Sequence, residues 1–143
     1  MTYTTNSEEE TLDLARKLAQ EAKPGDVFAL NGQLGAGKTV FARGFAQGLG
    51  IDAHITSPTF TILQVYEDGR LPFYHFDIYR ISDLMELYDV GFEDYLTGQG
   101  VCVIEWADMA AAYLPPHTIR VTLTQENPLD ETKRTIVVED GKE

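Results

Sequence analysis

A three-layer α/β fold, with a mostly parallel central sheet and an additional β-hairpin, is predicted by three observations. First, the apolar run Val27-Phe28-Ala29-Leu30 leads into Gly32-Gln33-Leu34-Gly35-Ala36-Gly37-Lys38-Thr39. That stretch fits the phosphate-loop pattern G-x-x-x-x-G-K-[ST] at every fixed position. Second, Val101-Cys102-Val103-Ile104 is apolar throughout, as in a parallel strand covered on both faces rather than a half-exposed one. Third, helical and strand-like periods alternate along the chain. Together these describe a P-loop NTPase-like domain.

Taken in order, Ser7 to Ala22 reads as a helix. Ser7 and Glu10 have the spacing of a capping box, and Leu12, Ala15, Leu18, Ala19 and Ala22 recur at helical intervals. Lys23-Pro24-Gly25-Asp26 stops it. A strand from Val27 to Asn31 feeds the loop, and a helix runs from about Lys38 to Leu49, with Gly50 as its stop. The β-rich runs Phe60 to Tyr66 and Leu71 to Ile78 flank Glu67-Asp68-Gly69-Arg70 and read as a hairpin. Ser82 to Asp89 is a short helix candidate and Gly91 to Leu96 another. After the Val101 strand and the Pro115-Pro116 break, strands at about Thr118 to Thr124 and Thr132 to Val138 extend the sheet. Asp140 to Glu143 is expected to fray. No internal repeat or low-complexity linker interrupts the pattern, so residues 1–143 are read as one domain.

Composition narrows the function. With 143 residues and 43% hydrophobic content, the chain can bury a core. It leaves little room for a substrate lid, which points to partner proteins for the rest of the activity. The net charge of −12, from 23 acidic and 11 basic residues, opposes unaided binding to a polyphosphate backbone, which depends on clustered Lys and Arg. The lone cysteine, Cys102, has no companion for a disulfide or a Cys-rich metal site. A reduced, cytoplasmic setting is the simplest expectation. No membrane span and no signal peptide are expected either.

The chemistry centres on the loop. Glycines let backbone N–H groups close around phosphate oxygens, and the following helix turns its positive dipole end to the same charge. Lys38 is expected to reach the β- and γ-phosphates, and the Thr39 hydroxyl to hold magnesium. Glu105, at the tip of the second apolar run, is the candidate for the other half of a triphosphate site, because a carboxylate there reaches the metal or its water shell. A solvent-facing strand-end acid is the alternative. Asp77 is the candidate to hold a metal-bound water or to orient the attacking one, against a plain salt bridge to Arg80 or a turn cap. His75, Asp77 and Tyr79 alternate and therefore share a strand face; the roles of His75, Tyr79 and Arg80 stay open. Ser57 and Thr59, in Thr56-Ser57-Pro58-Thr59, are switch candidates, or else part of a simple turn. Trp106 is equally readable as an anchor ring or a nucleotide neighbour. Arg43 suits a surface ion pair as well as a phosphate contact.

The strings GQLGAGKT, SPTF, HFDIYR and VIEWAD occur in that order, and the set resembles the TsaE family, formerly YjeE, the bacterial ATPases of tRNA threonylcarbamoyladenosine biosynthesis. The resemblance spans about residues 7 to 110. It implies a magnesium-dependent ATPase, weak alone, that works with a complex of TsaD and TsaB proteins, so that tRNA is met only indirectly. It implies that Gly35, Ala36, Gly37, Lys38 and Thr39 hold phosphates, with Val40 in the same first turn, and that Thr39 and Glu105 bind magnesium with Asp77 close by. It further implies that Trp106 lies beside the nucleotide, that Ser57 to Thr59 form the nucleotide-sensitive segment, and that the helix start at Ser7 borders the base. A non-catalytic, nucleotide-dependent adaptor and a small-molecule kinase remain as alternatives. A GTPase is disfavoured because no Asn-Lys-x-Asp guanine reader occurs.

Overall fold

The structure is a computed structural model that describes residues 1–32, 37–52, 63–78, 85, 91–107, 110, 113–125, 129 and 132–140. Its elements are β1 (Thr2–Thr5), α1 (Glu8–Glu21), β2 (Val27–Asn31), α2 (Lys38–Gly48), β3 (Leu63–Tyr66), β4 (Phe73–Asp77), α3 (Phe92–Leu96), β5 (Val101–Glu105), β6 (Ile119–Thr124) and β7 (Arg134–Glu139). The strands form one seven-stranded sheet in the order β1-β7-β6-β2-β5-β4-β3. The inner four, β6, β2, β5 and β4, run parallel, while β3, β7 and β1 join at the edges antiparallel.

Alternation along the strands sorts the core into two layers. Phe28 and Leu30 of β2, Phe73 of β4, and Val101 and Val103 of β5 pack with Ala15, Ala19, Phe41 and Phe45 of α1 and α2. Val27, Ala29, Phe76, Cys102 and Ile104 face the other way, toward Phe92 and Leu96 of α3. All five residues of β5 are buried, as the unbroken apolar run predicted. The Cys102 thiol, pushed up to about 12 by desolvation, is held as the unreactive neutral form.

The local signals act much as expected. Ser7 caps α1, with the Glu10 N–H donating to Ser7 Oγ at 3.1 Å, while Glu10 Oε1 accepts from the Asn6 N–H at 3.2 Å. The return arm of the capping box thus lands one residue early. At the other end of α1, Arg70 from the β3–β4 connection donates through Nη2 to the carbonyls of Ala19 and Ala22 at 2.7 and 3.0 Å. A cation there satisfies orphan carbonyls and complements the negative end of the helix dipole. The second helix ends at Gly48, and Gly50 takes a left-handed φ of 83°.

Two expectations need correction and several fall elsewhere. The hairpin is shorter than predicted, because Leu71 and Pro72 belong to its turn and β4 starts at Phe73. The N-terminus holds an unpredicted edge strand, β1, paired with β7 from Thr2↔Val137 to Thr5↔Arg134. The Thr5 and Thr11 hydroxyls, 2.7 Å apart and buried, tie that strand to α1. The helix expected over Ser82 to Asp89 lies, apart from Met85, outside the described residues, as do Phe60 to Ile62 and the tail beyond Asp140 that is expected to fray. No helix among the described residues is long and apolar enough to cross a membrane.

Candidate functional site

Three strand tips and one helix start meet at the C-terminal edge of the parallel strands. In β4 the side chains of Phe73, His75 and Asp77 alternate onto the face covered by α1 and α2, and in β5 those of Val101, Val103 and Glu105 do the same. Asp77 and Glu105 are register partners across the β4–β5 pair, and Glu105 is flanked on its other side by Leu30 of β2. Both carboxylates are buried, at 7% and 2% exposure. Two acids side by side in a core are costly unless cations or donors offset them.

The offset comes from α2 and from β4. Lys38, only 6% exposed, donates through Nζ to the Gly32 carbonyl and sits 3.7 Å from the centroid of the Trp106 ring. Burial lowers the pKa of its ammonium, while Glu105 and Asp77 act in the opposite direction. The Lys38 charge is therefore poised between desolvation and two carboxylates. On the other side, His75 Nε2 lies 2.6 Å from Glu105 Oε2.

The backbone supports the same reading. Gly37 adopts φ 103°, where an L side chain is strained, and it starts α2 without a side-chain cap. The second helix also has no acidic residue in its first turn, whereas α1 has three and a capping serine. Such an N-terminus suits an anion. Trp106 follows Glu105 with φ 61°, the sole positive-φ non-glycine among the described residues. Its N–H donates to the Leu30 carbonyl at 3.2 Å, and the turn delivers the ring to Lys38. Left-handed backbone costs a non-glycine ~1–2 kcal/mol, and strain of this kind concentrates at functional sites. Trp106→Gly is accordingly expected to unfold in urea with about 1 kcal/mol more stability than Trp106→Ala. An alanine variant at least as stable would mean that the turn relaxes without strain.

The structure brings together Gly37, Lys38, Thr39 and Val40 at the start of α2 with Asp77, Glu105 and Trp106 at the strand tips. Ser7 stands at the start of α1, where its hydroxyl is committed to the cap. His75 and Asp77 share a face as predicted. Gly35, Ala36, Ser57, Thr59, Tyr79 and Arg80 lie outside the described residues. Arg43 pairs with Glu8 at 2.5 Å, the surface ion-pair reading. One contact and one neighbour of the loop were missed. The His75 contact to Glu105 requires the β4–β5 register, and Arg134, whose Nε is 3.8 Å from where a Gly37 Cβ would stand, lies far along the chain with no local signal.

A magnesium site built from this set fits the donors present. Among the described residues no group of three or more His, Cys, Asp or Glu could enclose a cation. Magnesium needs no such cage, since it keeps waters and takes one or two carboxylates together with phosphate oxygens. One threonine hydroxyl beside the phosphate loop and two strand-end carboxylates match that habit.

Comparison with known proteins gives one answer. A family model described as "Threonylcarbamoyl adenosine biosynthesis protein TsaE" matches residues 5–136. A Bacillus subtilis protein named tRNA threonylcarbamoyladenosine biosynthesis protein TsaE is 49% identical over 121 residues, covering 85% of this chain and 75% of its own. A Treponema pallidum protein of the same name is 43% identical over 123 residues, covering 86% and 90%. A crystal structure of Bacillus subtilis YdiB aligns with a TM-score of 0.84 at 39% identity, over 99% of this chain and 86% of that one. The predicted fold class and the motif-based resemblance are both borne out.

Proposed function

The chain belongs to the TsaE family of threonylcarbamoyladenosine biosynthesis proteins, and from that premise we propose that it binds ATP with magnesium and hydrolyses it slowly. It acts with TsaD and TsaB-type proteins to drive or reset their cycle on tRNA. The observation that carries the reading is Lys38, buried at the head of α2 between the Trp106 ring and the carboxylates of Asp77 and Glu105.

Phosphoryl transfer asks a protein mainly for positioning and charge compensation. The first-turn N–H groups of α2 receive phosphate oxygens. Lys38 exchanges the Gly32 carbonyl for the terminal phosphates and offsets the charge that develops there. Thr39 and Glu105 would hold magnesium, which would supply charge to neutralise the phosphate oxygens. Asp77 orients the attacking water. Trp106 lies beside the nucleotide, and the start of α1 at Ser7 borders the base. With a net charge of −12, the protein leaves the holding of tRNA to its partners.

The single tryptophan, in contact with Lys38, supplies the assay. Adding ATP or ADP with magnesium is expected to change Trp106 emission, and Lys38→Ala is expected to abolish the change and to lower phosphate release by ~10²–10³. Tighter binding of GDP than ADP would overturn the ATP assignment. In a mixture of the partner proteins, activated threonylcarbamoyl donor and tRNA, Lys38→Ala is expected to block repeated turnovers. Full multiple turnover with that variant would sink the driving role, and an ATPase rate indifferent to the partners would favour an adaptor.

A further inference from the structure

His75 is fully buried, at 0% exposure, and its partner Glu105 is 2% exposed. The Nε2–Oε2 separation of 2.6 Å is at the short end for an N–H donor to a carboxylate. The other ring nitrogen, Nδ1, has no hydrogen-bond partner among the described residues. The ring itself lies nearly parallel to Phe73, 14° between planes and 5.7 Å between centroids. A buried polar atom without a partner costs stability, and a purely apolar ring in this place would avoid that cost. The imidazole is thus stacked on Phe73 with one hydrogen bond among the described residues, the one to Glu105. The tautomer that suits both nitrogens carries its proton on Nε2, donates to the carboxylate, and leaves Nδ1 as a bare acceptor.

Topology explains why His75 can do this. His75 pairs with Val103 and Asp77 pairs with Glu105, so His75 is the diagonal neighbour of Glu105 on the same sheet face. Asp77 stands directly opposite Glu105, and Lys38 comes from α2. The Glu105 carboxylate is therefore addressed from β4 and from α2.

We propose that His75 is a positioning residue for the magnesium site: its Nε2–H fixes Glu105 Oε2 and so aims Oε1 at the cation. This rests on the magnesium reading above. Groups that hold a metal-binding side chain in place are worth about 10–100-fold in metal affinity when removed.

The test uses the full chain and Mn²⁺ as the probe, with its affinity read by electron paramagnetic resonance in the presence of ADP. His75→Phe keeps the ring and its stacking on Phe73 but removes the donor, and is expected to weaken Mn²⁺ binding by about 10–100-fold. ADP affinity without metal, read from Trp106 emission, should stay near wild type. His75→Gln places an amide N–H near the Nε2 position and is expected to recover most of the affinity. His75→Asn, whose amide stops near the Nδ1 position, should behave like the phenylalanine variant and serves in its place should that variant fail to fold. Wild-type Mn²⁺ affinity in the Phe or Asn variant, or a Gln variant no better than Asn, would overturn the assignment. A wild-type protein that holds no Mn²⁺ with ADP would overturn the magnesium reading itself, and the role of His75 with it.

Discussion

Glu105→Gln is expected to cut ATP turnover by ~10²–10³ and to raise the magnesium concentration needed for half-maximal rate, with the fold intact. The substitution is nearly isosteric and the site is 2% exposed, so volume and packing hold. The His75 Nε2–H can still donate to the glutamine carbonyl in place of Oε2. What disappears is a negative charge beside Lys38 and the hard oxygen ligand that magnesium prefers. Asp77→Asn, one register step across the sheet, should behave differently. Its turnover falls while ADP affinity changes little, because orienting a water matters only in the transition state. Phosphate-release kinetics across a magnesium titration, with nucleotide affinity from Trp106 emission, separate the two. Unchanged metal dependence in Glu105→Gln would remove that residue from the site. Loss of ADP affinity with normal turnover in Asp77→Asn would make Asp77 a structural acid.

The parts of this site that were legible in sequence are those whose chemistry is local. The glycine pattern with Lys38 and Thr39 is contiguous, and Glu105 stands at the end of an apolar run whose lack of alternation marks a buried strand. The alternation of His75 and Asp77 follows from the two-residue repeat of any strand. What was not legible depends on register between distant segments. The His75 hydrogen bond to Glu105 exists because β4 and β5 pair in one alignment, which neither strand states alone. Arg70 on the end of α1 joins residues 48 and 51 positions apart. The first strand escaped because four residues are too few for a period, and its Thr-rich edge is held by pairing with β7 and by the Thr5–Thr11 contact. The turn at Trp106 escaped because tryptophan is among the last residues to suggest left-handed backbone.

Gly48→Ala is expected to destabilise the protein by ~1–3 kcal/mol, although alanine is the better helix former by about 1 kcal/mol. A Cβ there would stand 2.4 Å from the Arg16 carbonyl oxygen, 2.8 Å from Arg16 Cα and 2.7 Å from Ala19 Cβ. Two of these are backbone atoms of α1, so no rotamer change relieves them, and Ala19→Gly would not rescue the variant. Gly44 makes the same close approach one turn earlier, at 2.7 Å from the Leu12 carbonyl oxygen and 3.0 Å from Ala15 Cβ. Gly50→Ala is the control for backbone alone, since it has φ 83° and nothing within 4 Å of the added carbon. Urea denaturation should place Gly48→Ala below Gly50→Ala, and the opposite order would mean that α1 and α2 separate freely. The glycine contact also reaches the site. Gly48 ends the helix that Lys38 and Thr39 begin, about 15 Å along the axis at 1.5 Å per residue. A push on one end of so short a rod tilts the other, and Lys38 is held against the Trp106 ring and the Gly32 carbonyl by contacts that tolerate little displacement. Gly48→Ala should therefore weaken nucleotide binding in the folded protein, whereas Gly50→Ala, lying beyond the helix, should lose stability alone.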